Sequence, residues 1–129
     1  MKKYTRIFAF VMIFAFLAGM TACGEFKLEN WPTDKFVRGV PAAQAGVVEK
    51  SMVSSDTVGN KYAIITLTDF TADNMSEYIS YILDSGWVTC SAQKNTNGII
   101  TYSARNKNGN KTMHLVCNTS KCELSIEIQ

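Results

Sequence analysis

The sequence predicts an α+β fold in which one helix packs on one face of an antiparallel sheet, in the order ββαββββ. One segment has apolar residues at the 3.6-residue spacing of a helix. Near the end of the chain, apolar and polar residues alternate with the period of two that is typical of strands. Two Asn-Gly pairs separate further strand-like segments, as in β-hairpins. Together these observations favour a helix layered on a sheet.

An N-terminal arm, residues 31–41, is predicted to pack on the core before the first strand. Thr33 is a candidate N-cap and Gly39 a candidate end for one short helical turn. Trp31, Phe36 and Val40 are the apolar side chains that we expect to hold the arm in place.

Two strands are predicted next, over residues 47–53 and 62–67. Both segments are rich in β-branched and aromatic residues. Gly59-Asn60, between them, has the composition of a turn.

The predicted helix follows, with Thr71 as its N-cap, Asp73 in its first turn and Gly86 just past its end. Its apolar stripe comprises Met75, Tyr78, Ile79 and Ile82. Trp87, directly after Gly86, is expected to fold back on the last turn.

Four more strands are predicted over residues 87–94, 99–106, 111–117 and 122–128, with turns at Asn97-Gly98 and Asn108-Gly109. A two-residue turn at Asn108-Gly109 would pair Ala104 with Met113, Tyr102 with Leu115 and Ile100 with Cys117. In the last strand Cys122, Leu124, Ile126 and Ile128 share one face.

The last hairpin carries two cysteines. Pairing Leu115 with Leu124 would place Cys117 opposite Cys122, within reach of a disulfide. A metal site at the same pair is the alternative, but no second pair of ligands accompanies it and His114 faces the other way. Cys90 is left unpaired and is interpreted as a small apolar residue.

The start of the chain has the pattern of a secretory signal peptide. Lys2, Lys3 and Arg6 precede an uncharged apolar run over residues 7–19, and small residues follow. The segment up to Ala22 is shorter than the roughly 20 apolar residues of a membrane-spanning helix.

Cys23 follows Met20, Thr21 and Ala22 and precedes Gly24, an order that resembles the lipobox of bacterial lipoproteins. The lipobox usually has Leu, Val or Ile where this chain has Met20. The resemblance implies that Cys23 carries a diacylglycerol. Plain cleavage after Ala22, leaving a free thiol, is the alternative. The predicted organisation is a signal peptide (1–22), a lipidated tether (23–30) and one α+β domain (31–129).

Charge excludes some function classes. The chain has 13 basic and 11 acidic residues. Three of the basic residues lie in the signal peptide, so the remainder has a formal charge of about −1, with no basic run for nucleic acid or anionic lipid. We predict no cofactor and no nucleic-acid partner.

Three segments resemble a family of small lipoproteins, found mainly in Gram-positive bacteria, that is known only as a domain of unknown function. They are Trp31-Pro32-Thr33 leading to Val40-Pro41, the helix with Tyr78 ending in Gly86-Trp87, and Tyr102-Ser103-Ala104-Arg105-Asn106 before Gly109. Cys117 and Cys122 depart from the family pattern. The resemblance implies an α+β fold and surface anchoring, and it assigns no activity.

No catalytic constellation is evident among the candidate polar residues, which are His114, Asp69, Asp73, Glu77 and Asp84. The prediction is therefore a non-catalytic binding module on the outer side of the membrane, with a protein, peptide or glycan as partner. Its predicted outward face comprises Thr101, Ser103, Arg105, Thr112, His114 and Val116. A structural or inhibitory component that acts on a cell-envelope or secreted enzyme is the alternative.

Overall fold

The computed structural model describes residues 28–129. The predicted signal peptide, Cys23 and residues 24–27 lie outside the described residues. The elements are β1 (Val47–Ser55), β2 (Lys61–Thr68), α1 (Ala72–Asp84), β3 (Val88–Thr96), β4 (Ile99–Arg105), β5 (Thr112–Asn118) and β6 (Glu123–Ile128). The predicted α+β class and the order ββαββββ are confirmed.

All six strands form one antiparallel sheet in the order β1-β2-β6-β5-β4-β3. The last strand of the chain therefore lies in the middle of the sheet, between β2 and β5. The three predicted pairs of β4 and β5 are all confirmed. β1 and β3, the two outer strands, both contain register irregularities.

One face of the sheet and the helix form the core. The sheet contributes the alternate side chains of its four inner strands, and the helix contributes its predicted stripe. The core residues of the four inner strands are Ala63, Ile65, Leu67, Ile100, Tyr102, Ala104, Met113, Leu115, Cys117, Leu124, Ile126 and Ile128. Burial of this apolar surface is the main stabilising contribution to the fold.

The helix ends follow the predicted capping chemistry. The Thr71 hydroxyl accepts a hydrogen bond from the Asn74 amide at 3.2 Å, and the Asn74 side chain accepts one from the Thr71 amide at 2.9 Å. This reciprocal pair is a capping box. At the other end Gly86 adopts φ +93°, and the Trp87 amide donates to the Ile82 carbonyl at 3.3 Å. The helix therefore ends in a Schellman motif.

The arm packs as predicted, but Asp34 rather than Thr33 caps its turn. The Asp34 carboxylate accepts a hydrogen bond from the Phe36 amide at 2.8 Å, and the Asp34 carbonyl accepts one from Val37. Val37 is the arm's deepest residue at 1% exposure, whereas Phe36 is half-buried. An Asp one residue later competes successfully with Thr33 because its side chain closes a tight turn on its own backbone.

The segment 28–30, which precedes the predicted domain start at residue 31, also contacts the folded part through Leu28. Leu28 is half-buried against the core, and its carbonyl accepts a hydrogen bond from the Trp31 amide at 3.0 Å. Of the predicted tether, residues 23–27 lie outside the described residues.

Of the two predicted Asn-Gly turns, one forms as expected. Asn97 and Gly98 both have positive φ, +54° and +85°, as a tight hairpin turn requires. In the β4–β5 turn, Gly109 but not Asn108 has positive φ, and the Gly109 amide donates to the Asn106 carbonyl at 3.0 Å. The loop is thus wider than predicted, yet it gives the same strand register.

The predicted register of the β5–β6 hairpin is wrong. Leu115 pairs with Ile126, and Cys117 pairs with Leu124 rather than Cys122. Cys122 lies in the turn with φ +52°. A slip of two residues keeps every side chain on its own face, so the hydrophobic pattern cannot distinguish the two registers.

Candidate functional site: the open face of the sheet

The helix and the arm cover one face of the sheet, and the opposite face has no covering layer within residues 28–129. We call this second surface the open face. Its side chains come from the alternate positions of the strands that do not point into the core. On the four inner strands they include Ile64, Thr66, Thr101, Ser103, His114, Val116, Ser125 and Glu127.

A row of four side chains crosses the middle of the open face. Ile64 pairs with Glu127, Glu127 with His114, and His114 with Ser103. Directly opposed side chains have their Cβ atoms about 5 Å apart. The row therefore brings an apolar group, a carboxylate, an imidazole and a hydroxyl into one line across four strands.

The next row has a different character. Thr66 pairs with Ser125, Ser125 with Val116, and Val116 with Thr101. Ser125, Val116 and Thr101 are exposed, and Thr66 is half-buried. Because these hydroxyl side chains around Val116 are short, this part of the face projects little from the sheet and is accessible to a flat ligand surface.

The six predicted face residues all lie on the open face, but they differ in accessibility. Thr101, Arg105 and Val116 are exposed, whereas Thr112 and His114 are half-buried. Ser103 is 5% exposed. Sequence alternation assigned the face of Ser103 correctly but could not show that its neighbours would cover it.

Glu127 and Ser125 of β6, like Ile64 and Thr66 of β2, are face residues that sequence reasoning missed. The alternation in the last strand already separated the two β6 residues from the apolar face. Their position beside His114 and Val116 depends on β6 lying between β2 and β5, which no local sequence signal indicates.

The predicted catalytic candidates do not come together. Asp73 lies in the first turn of α1, where a carboxylate interacts favourably with the helix dipole. Asp69, with φ +54°, is in the connection before the helix, and Glu77 and Asp84 are exposed on it. None of these carboxylates lines either of the two clefts described next, and neither does His114.

The first cleft, of about 510 Å³, lies between the arm and the C-terminal end of α1. Trp31, Arg38, Tyr81 and Ser85 are among its lining residues. The second, of about 590 Å³, lies where the β1–β2 and β4–β5 turns meet, and it includes Phe36, Lys61 and Glu127. Both are open surface depressions, and each has a mixed polar and apolar lining.

Cys90, Cys117 and Cys122 are free thiols in the structure. Burial raises the pKa of the Cys117 thiol, and the neighbouring Cys122 raises it further. The observed register removes the geometric basis of the predicted disulfide, which stays a prediction. Counting the free thiols of the unfolded domain tests for the bond, because a Cys117–Cys122 disulfide would leave only the Cys90 thiol free instead of three thiols.

Within residues 28–129, no three His, Cys, Asp or Glu side chains are grouped so that they could hold a metal ion. No helix in that part of the chain is both long and apolar enough to cross a membrane. No protein-family model, curated protein or solved structure matches the chain.

Proposed function

We propose that the chain is a bacterial lipoprotein, anchored through a lipid on Cys23, whose folded domain is a non-catalytic binding module. The open face of the sheet is the surface that binds the partner, which is a protein, a peptide or a glycan. The domain acts on the outer side of the cell membrane.

The open face carries this proposal. A six-stranded sheet with a helix on one side leaves a broad second side, and here that side offers hydrogen-bond donors and acceptors in ordered rows. The central row supplies a carboxylate at Glu127 and an imidazole at His114, and Ile64 adds apolar area. These groups provide both hydrogen-bonding partners and apolar contact area for a bound protein, peptide or glycan.

The sheet edges are poorer candidates than the face. β3 has register irregularities after Thr89 and after Ser91, and β1 has one between Val48 and Lys50. Irregular edges interrupt the row of backbone groups that an added strand would need. The edges are thus less regular templates for an added strand, and we propose the face as the binding surface.

The anchor is tested by labelling growing cells with radioactive or alkyne-tagged palmitate. We expect the wild-type protein to take up the label and to sediment with membranes, and the Cys23→Ser variant to do neither. An unmodified amino terminus on the exported wild-type protein, found by mass spectrometry, would refute the anchor.

The binding face is tested by comparing two serine-to-arginine variants, one on the open face and one on the opposite side of the domain. Ser125 is exposed on the open face, and Ser80 is exposed on the helix. In pull-downs from detergent-solubilised membranes, we expect Ser125→Arg to lower partner recovery at least tenfold and Ser80→Arg to leave it unchanged. A tenfold loss corresponds to about 1.4 kcal/mol of binding free energy.

Both variants should unfold at the wild-type temperature, because each change lies on the surface. Equal recovery by both variants would refute the open face as the binding surface. Inhibition of a secreted or cell-envelope hydrolase by the purified domain would instead support the inhibitory alternative.

A further inference from the structure

We propose that one end of the domain, formed by the arm and the β4–β5 turn, rests against the lipid headgroups of the bilayer. We call this the arm end. The inference rests on the proposed lipidation of Cys23 and concerns how the anchored domain is oriented.

The first step is the length of chain between the anchor and the folded part. Only residues 24–27 separate Cys23 from Leu28, which packs against the core. The five steps from Cys23 to Leu28 span at most about 18 Å. Leu28 must therefore lie within that distance of the lipid-bearing residue.

The second step is that the arm is fixed to the domain. Trp31 is 7% exposed, and the Tyr78 hydroxyl donates a hydrogen bond to the Pro41 carbonyl at 2.7 Å. The arm also contacts the β4–β5 turn, since the Lys111 ammonium lies 3.5 Å from the Arg38 carbonyl and 5.1 Å from the centre of the Phe36 ring. Because these parts are joined, a short tether that holds Leu28 near the bilayer holds the whole arm end there.

The third step is the position of the opposite end. β5 runs from Thr112 beside the arm end to Asn118, six steps that span about 20 Å. The β5–β6 turn beyond Asn118 is thus farther from the arm end than the tether can extend. With the arm end on the lipid, that turn, at the opposite end of the sheet, points away from the bilayer and the open face stays accessible from the side.

Charge contributes little to this orientation. The exposed or half-buried charged groups of the arm end and the adjacent end of α1 are Lys35, Arg38, Lys107 and Lys111 against Glu29, Asp34 and Asp84. An excess of one positive charge gives only weak attraction to anionic lipid. The tether, rather than electrostatics, sets the orientation, so neutral phosphatidylcholine vesicles are the appropriate probe.

The test is acetylation of lysines in the lipidated protein on phosphatidylcholine vesicles, read by mass spectrometry. Lys35, Lys107 and Lys111 belong to the arm end, whereas Lys50, Lys94 and Lys121 lie away from it and act as internal controls. Each rate is divided by the rate of the same lysine in the Cys23→Ser protein with vesicles present. We expect at least threefold slower acetylation at the three arm-end lysines and unchanged rates at the three controls.

A second variant tests the tether itself. Twelve Gly and Ser residues inserted between Lys27 and Leu28 give a linker that reaches roughly 22 Å on average and farther when extended. We expect the three arm-end rates to return to within about 1.5-fold of the solution values. Persistence of the full protection would overturn the tether as its cause.

Failure of this inference is distinguishable from failure of the lipid anchor. The mass of the amino-terminal peptide shows whether Cys23 carries lipid before any rate is compared. If the lipidated protein shows equal slowing at all six lysines, or none at any, the proposed orientation is refuted although the anchor stands.

Discussion

Tyr78 connects three parts of the molecule through one side chain. Its hydroxyl donates to the Pro41 carbonyl in the arm at 2.7 Å and lies 4.0 Å from the Met113 sulfur of β5. Its ring packs edge-on against Phe70, with the ring centres 6.3 Å apart. Burial raises the pKa of the Tyr78 phenol far above its usual value near 10, and the nearby Tyr81 adds to the shift.

We expect Tyr78→Phe to lower the free energy of unfolding by about 2 kcal/mol at pH 7, because the buried Pro41 carbonyl loses its donor. The loss should shrink as the pH rises above 10. In the unfolded wild-type chain Tyr78 then releases its proton, whereas the folded chain retains it, so wild-type stability falls by up to about 1.4 kcal/mol per pH unit. Urea unfolding of both proteins between pH 7 and pH 11 measures the difference.

Tyr62→Phe is the matched control, since Tyr62 is half-buried on the open face and has no hydrogen bond to the arm. It should change stability by less than about 0.5 kcal/mol at pH 7. If the free energies of unfolding of wild type and Tyr78→Phe differed by the same amount from pH 7 to pH 11, the Tyr78 phenol would not be buried and neutral in the folded protein.

Single residues were predicted well where the deciding chemistry is local. Thr71, Gly86 and the helix stripe follow from spacing and from capping preference alone. Thr33 was the predicted cap of the arm turn, but the hydrogen bond from the Phe36 amide to the Asp34 carboxylate shows that the adjacent residue takes that role. Sequence spacing cannot separate such neighbours.

Two glycines at the ends of secondary-structure elements both have a positive φ, but they differ in how much space a Cβ atom would find. Gly86 ends the helix with φ +93°, and a Cβ there would meet nothing within 4 Å. Gly46 precedes β1 with φ +83°, and a Cβ there would lie 2.9 Å from the Thr68 carbonyl oxygen. The second position combines an unfavourable φ with a backbone clash.

We therefore expect Gly86→Ala to cost about 1–2 kcal/mol of unfolding free energy, the cost of a left-handed conformation for a residue with a Cβ. Gly46→Ala should cost at least about 1 kcal/mol more, because a rigid backbone atom must move. Urea unfolding followed by circular dichroism provides both values. Equal costs would show that the start of β1 adjusts freely.

The elements themselves were largely predictable, but their pairing was only partly so. The β4–β5 register followed from the Asn108-Gly109 position even though the turn has a different conformation. The β5–β6 register failed because the connection has no Asn-Gly pair and the apolar period of two permits a slip of two residues. The wrong register also supplied the geometric argument for the Cys117–Cys122 bond.

For the molecule as a whole, the order of strands in the sheet decides the candidate site. β6 lies between β2 and β5, so Glu127 lies between Ile64 and His114. The sequence predicted which side chains leave the core but not which of them become neighbours across strands. That information is in contacts between distant segments, which local pattern does not encode.

The arm and the helix belong to one core, and this unity underlies the proposed orientation at the membrane. Trp31 in the arm and Trp87 after the helix are both buried in the same apolar cluster. Trp87→Phe leaves Trp31 as the only tryptophan, and Trp31→Phe leaves Trp87. In each variant we expect fluorescence and far-ultraviolet circular dichroism to give the same urea midpoint, as a single cooperative domain requires.

Unequal urea midpoints would contradict a single cooperative domain. In the Trp87→Phe variant, a fluorescence midpoint below the circular dichroism midpoint would mean that the arm detaches before the sheet and helix unfold. Detachment would free the chain as far as Pro41 and lengthen the effective tether by more than ten residues. The arm end would then no longer be held at the bilayer, because a linker of that length allows the domain to turn any side toward the lipid.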